Sequence, residues 1–386
     1  MKNKLMQNFY DILMVTSIII GKEIFMVKKI LKSILIIILV IVVLFGAYFA
    51  YVLLSYHRIE DNLQLDIEGE SATDSLKTDE LYRISSANLG FGAYSDDYSF
   101  FMDGGTESWA FSKHAVNKNI KGSINSVLTL NPNLMLFQEV DLNSTRSYHV
   151  NEKDLIIDIL KNSSYDNVNY TFAMNYDSPF LLYPLTQPHG KSRAGLLTVS
   201  PATITDSTRR SLPIEEGLSK LIDLDRCYSK NCINLENGKQ LILYNVHLSA
   251  YTTDPSTADN QVVMLNADMK EEFEKGNYII AGGDMNKDVL GDSSVYFGTT
   301  STENWAQPIP DGLLDENFTI IGPVDEENPV PSCRNADKPY SKNSFVLTID
   351  GFIVSSNIEV LSANVLDTGF KYSDHNPVYM DFILKD

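Results

Sequence analysis

Leu241-Ile-Leu-Tyr-Asn-Val-His-Leu248 and Tyr278-Ile-Ile-Ala-Gly-Gly-Asp-Met-Asn286 decide how this chain folds. Each opens as a short aliphatic and aromatic run of the kind that forms a buried strand. Strands are expected over Leu241 to Leu248 and Tyr278 to Ala281. Each run ends in polar residues: Asn245 and His247 in the first, Asp284 and Asn286 in the second. A carboxylate at the end of a buried strand costs desolvation unless a cation or hydrogen bonds compensate it.

The same design recurs elsewhere in the chain. Ser86-Ala-Asn88-Leu-Gly, Phe137-Gln-Glu139-Val-Asp141 and Ser373-Asp374-His375-Asn-Pro-Val each follow or adjoin an apolar run, and Thr348-Ile-Asp350-Gly-Phe sets an acid inside one. A single strand-end acid is usually a turn or a cap. Six such segments, bearing Asn88, Glu139, His247, Asp284, Asn286, Asp350, Asp374 and His375, point instead to a shared site. Oxygen-rich ligands with few nitrogens and no thiolate suit Mg²⁺ or Mn²⁺ rather than zinc.

Taken in order, N-L-G, Q-E-V, N-x-H-L, G-D-x-N, I-D-G and S-D-H-N-P-V resemble the signature of the endonuclease/exonuclease/phosphatase family, from about Arg83 to the C-terminus. That resemblance implies an α+β fold, a four-layer α/β/β/α sandwich with its site at one rim. It implies that Asn88, Glu139 and Asp374 serve the metal. Asp284 would prepare the attacking water, and Asn286 would hold water or phosphate. His375 would stabilise or protonate a phosphoryl oxygen, with Asp350 fixing its tautomer and His247 touching the phosphate. Taken one by one, Glu139 could be a strand cap, His247 a core histidine and Gly282-Gly283 a turn.

Arg193, before the apolar run Ala194 to Val199, matches the place of a phosphate-gripping arginine, although an exposed surface arginine fits as well. His189 and Lys191 nearby could meet an anionic head group; a solvated loop is the plainer reading. Arg209, Arg210, Arg226 and Arg334 are read as surface or structural. Met102 to Trp109 and Trp305 could line a substrate rim, with core packing the simpler role for either Trp.

The 386-residue chain carries a net charge of −19; seven of its 31 bases and three of its 50 acids lie in the first sixty residues, leaving 24 and 47 in the remainder. So acidic a domain has no general electrostatic pull toward nucleic acid or anionic lipid. Cysteine is sparse, with no C-x-x-C pair, which speaks against a structural zinc site. Cys227 and Cys232 could close a small loop in an oxidising compartment or stay unpaired.

Residues 33–54 form an uncharged apolar run of the length a helix needs to cross a bilayer. Lys28, Lys29 and Lys32 precede it, so residues 1–32 are expected in the cytoplasm and the catalytic bulk outside. The run is longer than an ordinary signal-peptide core and lacks a clean A-x-A site, which favours an uncleaved anchor. Met26 would make an ordinary start for such an anchor, and residues 1–25 are given no function.

Residues 55–80 read as a polar, acidic linker and 81–386 as the catalytic domain. Val116, Ile120, Ile124, Val127 and Leu128 share one helical face, which Asn131-Pro132 ends. A strand over Leu134 to Phe137, a helix over Asp154 to Leu160 and strands over Phe345 to Val354 and Val378 to Leu384 complete the pattern. Gln307 to Tyr340 reads as a long loop near the site. The leading expectation is a surface-anchored, metal-dependent phosphoesterase. A DNase-like nuclease, a lipid head-group phosphodiesterase and a catalytically inactive binding module on the same fold are the alternatives. No apolar membrane-docking hairpin is recognisable in the sequence, which places the lipid enzyme below the first.

Overall fold

The computed structural model describes residues 1–217, 219–221, 223–250, 254–299 and 305–386. The chain divides into two compact units, Met1–Tyr56 and His57–Asp386. The first is a single helix, α1 (Lys2–Ser55). It contains the apolar run expected to span a membrane and continues N-terminally through the residues left without a role. At 54 residues it is about 80 Å long. Among the described residues it is the one helix long and apolar enough to cross a bilayer.

The second unit carries, in chain order, β1 (Leu63–Gln64), β2 (Ile67–Gly69), β3 (Leu81–Asn88), α2 (Lys113–Leu128), β4 (Leu134–Asp141), α3 (Glu152–Lys161), β5 (Asn169–Asp177), β6 (Arg193–Ser200), β7 (Ile204–Ser211), β8 (Cys227–Asn234), β9 (Gln240–His247), α4 (Pro255–Glu274), β10 (Tyr278–Asp284), β11 (Phe318–Ile321), β12 (Cys333–Arg334), β13 (Val346–Leu347), β14 (Asp350–Ser355), β15 (Ile358–Val365) and β16 (Val378–Leu384). Two seven-stranded sheets result, ordered β1-β7-β8-β9-β10-β14-β11 and β15-β16-β3-β4-β6-β5-β2.

Strand periodicity explains the layering, because successive side chains point to opposite faces. On β9, Leu241 and Leu243 meet Ile84, Leu134, Leu136, Ile280, Phe352 and Met380 in a core between the sheets. The intervening Ile242, Tyr244 and Val246 pack outward against Val262, Leu265 and Met269 of α4. On the other sheet, Met135, Phe137, Leu197 and Val199 pack outward against Val116, Ile120 and Ile124 of α2 and Ile156 and Leu160 of α3. Helix, sheet, sheet, helix is the expected four-layer sandwich. Ser112 and Asn151 cap α2 and α3 by accepting from Ala115 N and Asp154 N.

Two expectations differ from the structure, and one question left open by the sequence is answered. The acidic stretch read as a linker lies along the sheet edges: Leu63 and Gln64 pair with Arg209 and Thr208, and Ile67 to Gly69 pair with Thr171 to Asn169. Its strands are two and three residues long, too short to show an alternating pattern. The run Phe345 to Val354 breaks after Leu347, where β13 leaves to pair with β12, and that ribbon and β11 give structure to the long loop. Cys227 and Cys232 are both free thiols. Five positions apart on β8, they face opposite sides of the sheet: Cys227 joins Leu65, Ala173 and Leu196, and Cys232 joins the α4 layer.

Candidate active site

The inter-sheet core turns polar toward one end. Ser86, Gln138 and Asn245 form a buried layer in which Gln138 Nε2 donates to Asn245 Oδ1 at 2.8 Å and to Ser86 Oγ at 3.1 Å. Beyond it, the inward-facing stripe of each strand continues to Asn88 on β3, His247 on β9, Asp284 on β10 and Asp350 on β14. Pairing aligns three of these, with Asp284 opposite His247 on one side and Asp350 on the other. The positions that are aliphatic inside the sandwich are thus polar at its rim.

Glu139 reaches the same rim by a different device. The pairing of β4 with β6 slips between Phe137 and Val140, and Glu139 takes φ 53°. A bulge of this kind re-aims one side chain, and the left-handed backbone is costly for a residue with a Cβ. Asn286, just past β10, is also left-handed at φ 46°. Its backbone N–H donates to Asp284 Oδ1 at 2.9 Å and its side-chain amide to the Leu248 carbonyl at 2.8 Å. Gly283 has φ 145°, and a Cβ there would lie 2.1 Å from the Val246 carbonyl oxygen. Only glycine allows β10 to run this close to β9 at the site.

Asp374 and His375 arrive on the turn before β16. Ser373 Oγ donates to the Asn88 carbonyl at 2.9 Å and accepts from His375 N at 3.2 Å, holding that turn against β3. His375 Nδ1 donates to Asp350 Oδ2 at 2.8 Å, and Ser332 Oγ donates to the same oxygen at 2.7 Å. The imidazole is thereby fixed with Nε2 free to face the cleft, 3.9 Å from Asp284 Oδ2 and 3.7 Å from Cys333 Sγ. Asp284 Oδ2 also accepts from Asn88 Nδ2 at 3.0 Å and lies 3.5 Å from His247 Nε2. Glu139 Oε1 accepts from Asn88 Nδ2 at 3.2 Å and lies 4.0 Å from His247 Nε2. Asn88, Glu139, His247, Asp284, Asn286, Asp350, Asp374 and His375, spread over nearly three hundred positions, therefore meet at one rim.

Burial pushes Asp284 up to about 7, with the Asp350 charge adding to the effect. Burial likewise pushes Asp374 up to about 6. Burial and then the charge of Arg226 hold His247 well below its ordinary value, as a neutral imidazole. Burial also opposes charge on His375, yet the Asp350 carboxylate and its hydrogen bond raise it well above the usual range. Divalent metal fits this donor set. Asp284 and Asp374 are buried carboxylates pushed up by their surroundings, and Asp284, Asp350 and His375 offer ligand atoms within 4.8 Å of one another. Hard oxygen donors dominate, as Mg²⁺ and Mn²⁺ prefer.

Of these residues, Glu139, His247, Asp284, Asn286, Asp374 and His375 line a cleft of about 440 Å³. Arg193 is not among its walls. Its side chain is well exposed and stands 3.8 Å from Asp177 Oδ2, while the next residue, Ala194, faces the cleft. The guanidinium groups at the cleft belong to Arg146, Arg226 and Arg334, all buried. Arg146 is paired with Asp141 at 2.9 Å and lies over the Phe91 ring at 3.9 Å. Arg334 donates to the carbonyls of Ser95 and Asn335, so it also braces the loop after β3. Asn175, His189 and Asp103 add to the polar lining, with Glu215 and Asp223, and Met102 and Trp305 to the apolar part. Trp109 packs instead against Tyr148. No motif marks Arg146 or Asn175, and His189 stood out in the sequence only as part of a loop cluster with Lys191. They lie on a turn, a strand end and a loop that only the tertiary fold brings to the cleft.

A profile described as the Endonuclease/Exonuclease/phosphatase family matches residues 86–375. No curated protein matches the sequence. Similar solved structures include the human Nocturnin catalytic domain with bound sulfate, at 17% identity over 82% of this chain and 97% of that one, with a TM-score of 0.48. A family protein from Leptotrichia buccalis C-1013-b is 12% identical over 78% and 99% of the two chains, with a TM-score of 0.49. TDP2 from C. elegans is 13% identical over 78% and 75%, with a TM-score of 0.46.

Proposed function

The chain belongs to the endonuclease/exonuclease/phosphatase family, and on that premise we propose that it hydrolyses phosphate esters by water attack at phosphorus, with Mg²⁺ or Mn²⁺ as cofactor, from the surface of a cell membrane. The observation that carries the reading is the meeting of Glu139, His247, Asp284 and the Asp350–His375 pair around one cleft. A structural role for so many buried ionisable groups at one rim would leave their desolvation uncompensated.

Asn88, Glu139 and Asp374 would hold the metal. An ion held there would supply Lewis-acid stabilisation of the negative charge on the phosphoryl group. Asp284, raised toward neutrality, is suited to take a proton from the attacking water near pH 7. His375 Nε2 carries positive charge toward the phosphoryl oxygens, with Asp350 holding the ring. His247, kept neutral, can contact a phosphoryl oxygen without competing for the proton, and Asn286 orders the carboxylate of Asp284 through its backbone N–H.

The anchor reading rests on the uncharged run of residues 33–54 within α1 and the lysines that precede it. It puts residues 1–32 in the cytoplasm and the catalytic unit outside. A panel of DNA, RNA, nucleotides, phosphoinositides and sphingomyelin, offered to the full chain in mild detergent with Mg²⁺, tests the activity. Hydrolysis of at least one substrate is expected. Failure on every ester, with the chain folded, would overturn the enzymatic reading.

A further inference from the structure

We propose that the hairpin Leu181–Gly190 is a bilayer-docking element that turns the mouth of the cleft toward the lipid surface, so that the substrate is the phosphoester of a membrane-lipid head group. The proposal rests on the phosphoesterase and anchor readings above and adds the substrate class to them.

The first observation is an apolar tip held out in solvent, which the sequence did not reveal because so short an apolar run reads equally well as core. Residues 179–190, Pro-Phe-Leu-Leu-Tyr-Pro-Leu-Thr-Gln-Pro-His-Gly, contain no acid, Lys or Arg, in a catalytic unit that is otherwise strongly acidic. Tyr183 is 70% exposed and Leu185 79%, with Phe180 and Leu182 partly so. Among the described residues of this unit, no other stretch of six positions shows four exposed large apolar side chains. Met102, 61% exposed, adds to the patch from the neighbouring loop, where Phe101 meets the Tyr183 ring at 5.7 Å.

The tip is built rather than loose. Leu181 and Gly190 exchange backbone hydrogen bonds at 3.0 Å in both directions. Trp109 Nε1 donates to the Pro188 carbonyl at 2.7 Å and Ser108 N to Gln187 Oε1 at 2.8 Å. A braced, uncharged, aromatic-bearing tip exposed to water suits insertion at a membrane interface, where Tyr is favoured and the apolar neighbours leave water.

The second observation is independent and concerns where the chain enters the catalytic unit. Arg58 donates to Asp225 Oδ1 at 2.8 Å and to the Leu212 carbonyl at 2.9 Å, and Ile59 N donates to Asp225 Oδ2. The adjoining residues Asp223, Leu224 and Arg226 line the cleft. His189 of the hairpin and Met102 line it too. Residues that flank the entry point and residues that flank the apolar tip therefore line one cleft. On the anchor reading, a bilayer is the apolar surface available to this tip. The acidic unit offers no general attraction to anionic lipid, so docking should run on apolar contact and withstand salt.

The test uses the full chain in phosphatidylcholine vesicles carrying sphingomyelin and phosphatidylglycerol. All three native cysteines are buried, so single labels can be placed by Leu185→Cys at the tip and Lys239→Cys at the opposite end of the strands. With spin-labelled lipid, a fluorophore at Leu185 should lose about half of its emission and one at Lys239 almost none. Equal responses, with the protein floating with the vesicles, would overturn docking while leaving the anchor intact. Protein that does not float with the vesicles would overturn both.

In the second arm, Tyr183→Ser with Leu185→Ser should cut hydrolysis of vesicle lipids about tenfold and leave turnover of soluble bis(p-nitrophenyl) phosphate unchanged. Turnover of the soluble ester with no lipid hydrolysed would overturn the lipid substrate alone. Loss of both would remove the phosphoesterase premise.

Discussion

His375 is useful because of what surrounds it. Asp350 takes its Nδ1–H, Ser332 fixes Asp350, and the remaining nitrogen faces Asp284 across 3.9 Å. His375→Ala should lower kcat by roughly 10²–10⁴ while the melting temperature changes little, read from steady-state kinetics and a thermal melt. A loss of activity that merely tracks unfolding would assign the residue to structure. Glu139→Ala should behave differently: on the proposed assignment it would remove a metal ligand, so raised Mg²⁺ should recover part of the rate. Gly283 tests the backbone rather than a side chain. A Cβ placed 2.1 Å from the Val246 oxygen at φ 145° has nowhere to go, so Gly283→Ala should cost ~2 kcal/mol or more in urea unfolding. At this scale the strand-end polar groups were legible in the sequence, because each interrupts an apolar run where burial would otherwise forbid it. Arg193, open between a phosphate contact and a surface arginine, lies outside the cleft walls because strand alternation turns it away and brings Ala194 to the cleft. Arg226 and Arg334 were read as surface or structural, since nothing in the local sequence of an arginine announces burial beneath a loop.

Elements supply the precision that residues cannot. The bulge in β4 decides that Glu139 points along the rim, and the ends of β9, β10 and β14 set His247, Asp284 and Asp350 in register. The pairing of β3 with β16 brings Asn88 near Asp374 and His375, and Arg83 clamps it by donating to both oxygens of Asp381 at 2.6 and 2.7 Å. Arg83's hydrogen bonds hold the Asp381 carboxyl below its ordinary value. A carboxylate depressed in the folded state stabilises above its unfolded pKa, and that contribution is lost as pH falls through the folded value. Asp381→Asn should therefore lower stability by ~1 kcal/mol at pH 7. The gap from the native chain should narrow in melts run at progressively lower pH below 4. A gap that stays constant into strong acid would show that the pair contributes through packing alone. Long periodic elements such as α2 and β16 were readable because one face is apolar throughout. The two- and three-residue strands β1 and β2 were not, since so short a stretch has no period and only a neighbouring edge makes it a strand.

At the scale of the molecule, the α/β/β/α sandwich followed from a resemblance carried by six ordered segments rather than from periodicity, which yields strands and helices but not their layering. The division at Tyr56 is sharper than the linker expected from composition, because the polar stretch after the helix is drawn into both sheet edges. If the N-terminal helix spans a membrane with its lysines inside, protease added to intact cells should digest the catalytic unit. Protection until lysis would reverse the orientation, and release into the medium without detergent would indicate a cleaved signal instead. The central claim is that the rim cluster is a metal-dependent phosphoesterase site. Turnover of bis(p-nitrophenyl) phosphate by the full chain, before and after EDTA and on return of Mg²⁺ or Mn²⁺, tests it most directly. The account predicts turnover abolished by chelation, restored by the metal and absent in His375→Ala. Hydrolysis that persists in excess chelator, or that survives the loss of His375, would contradict it.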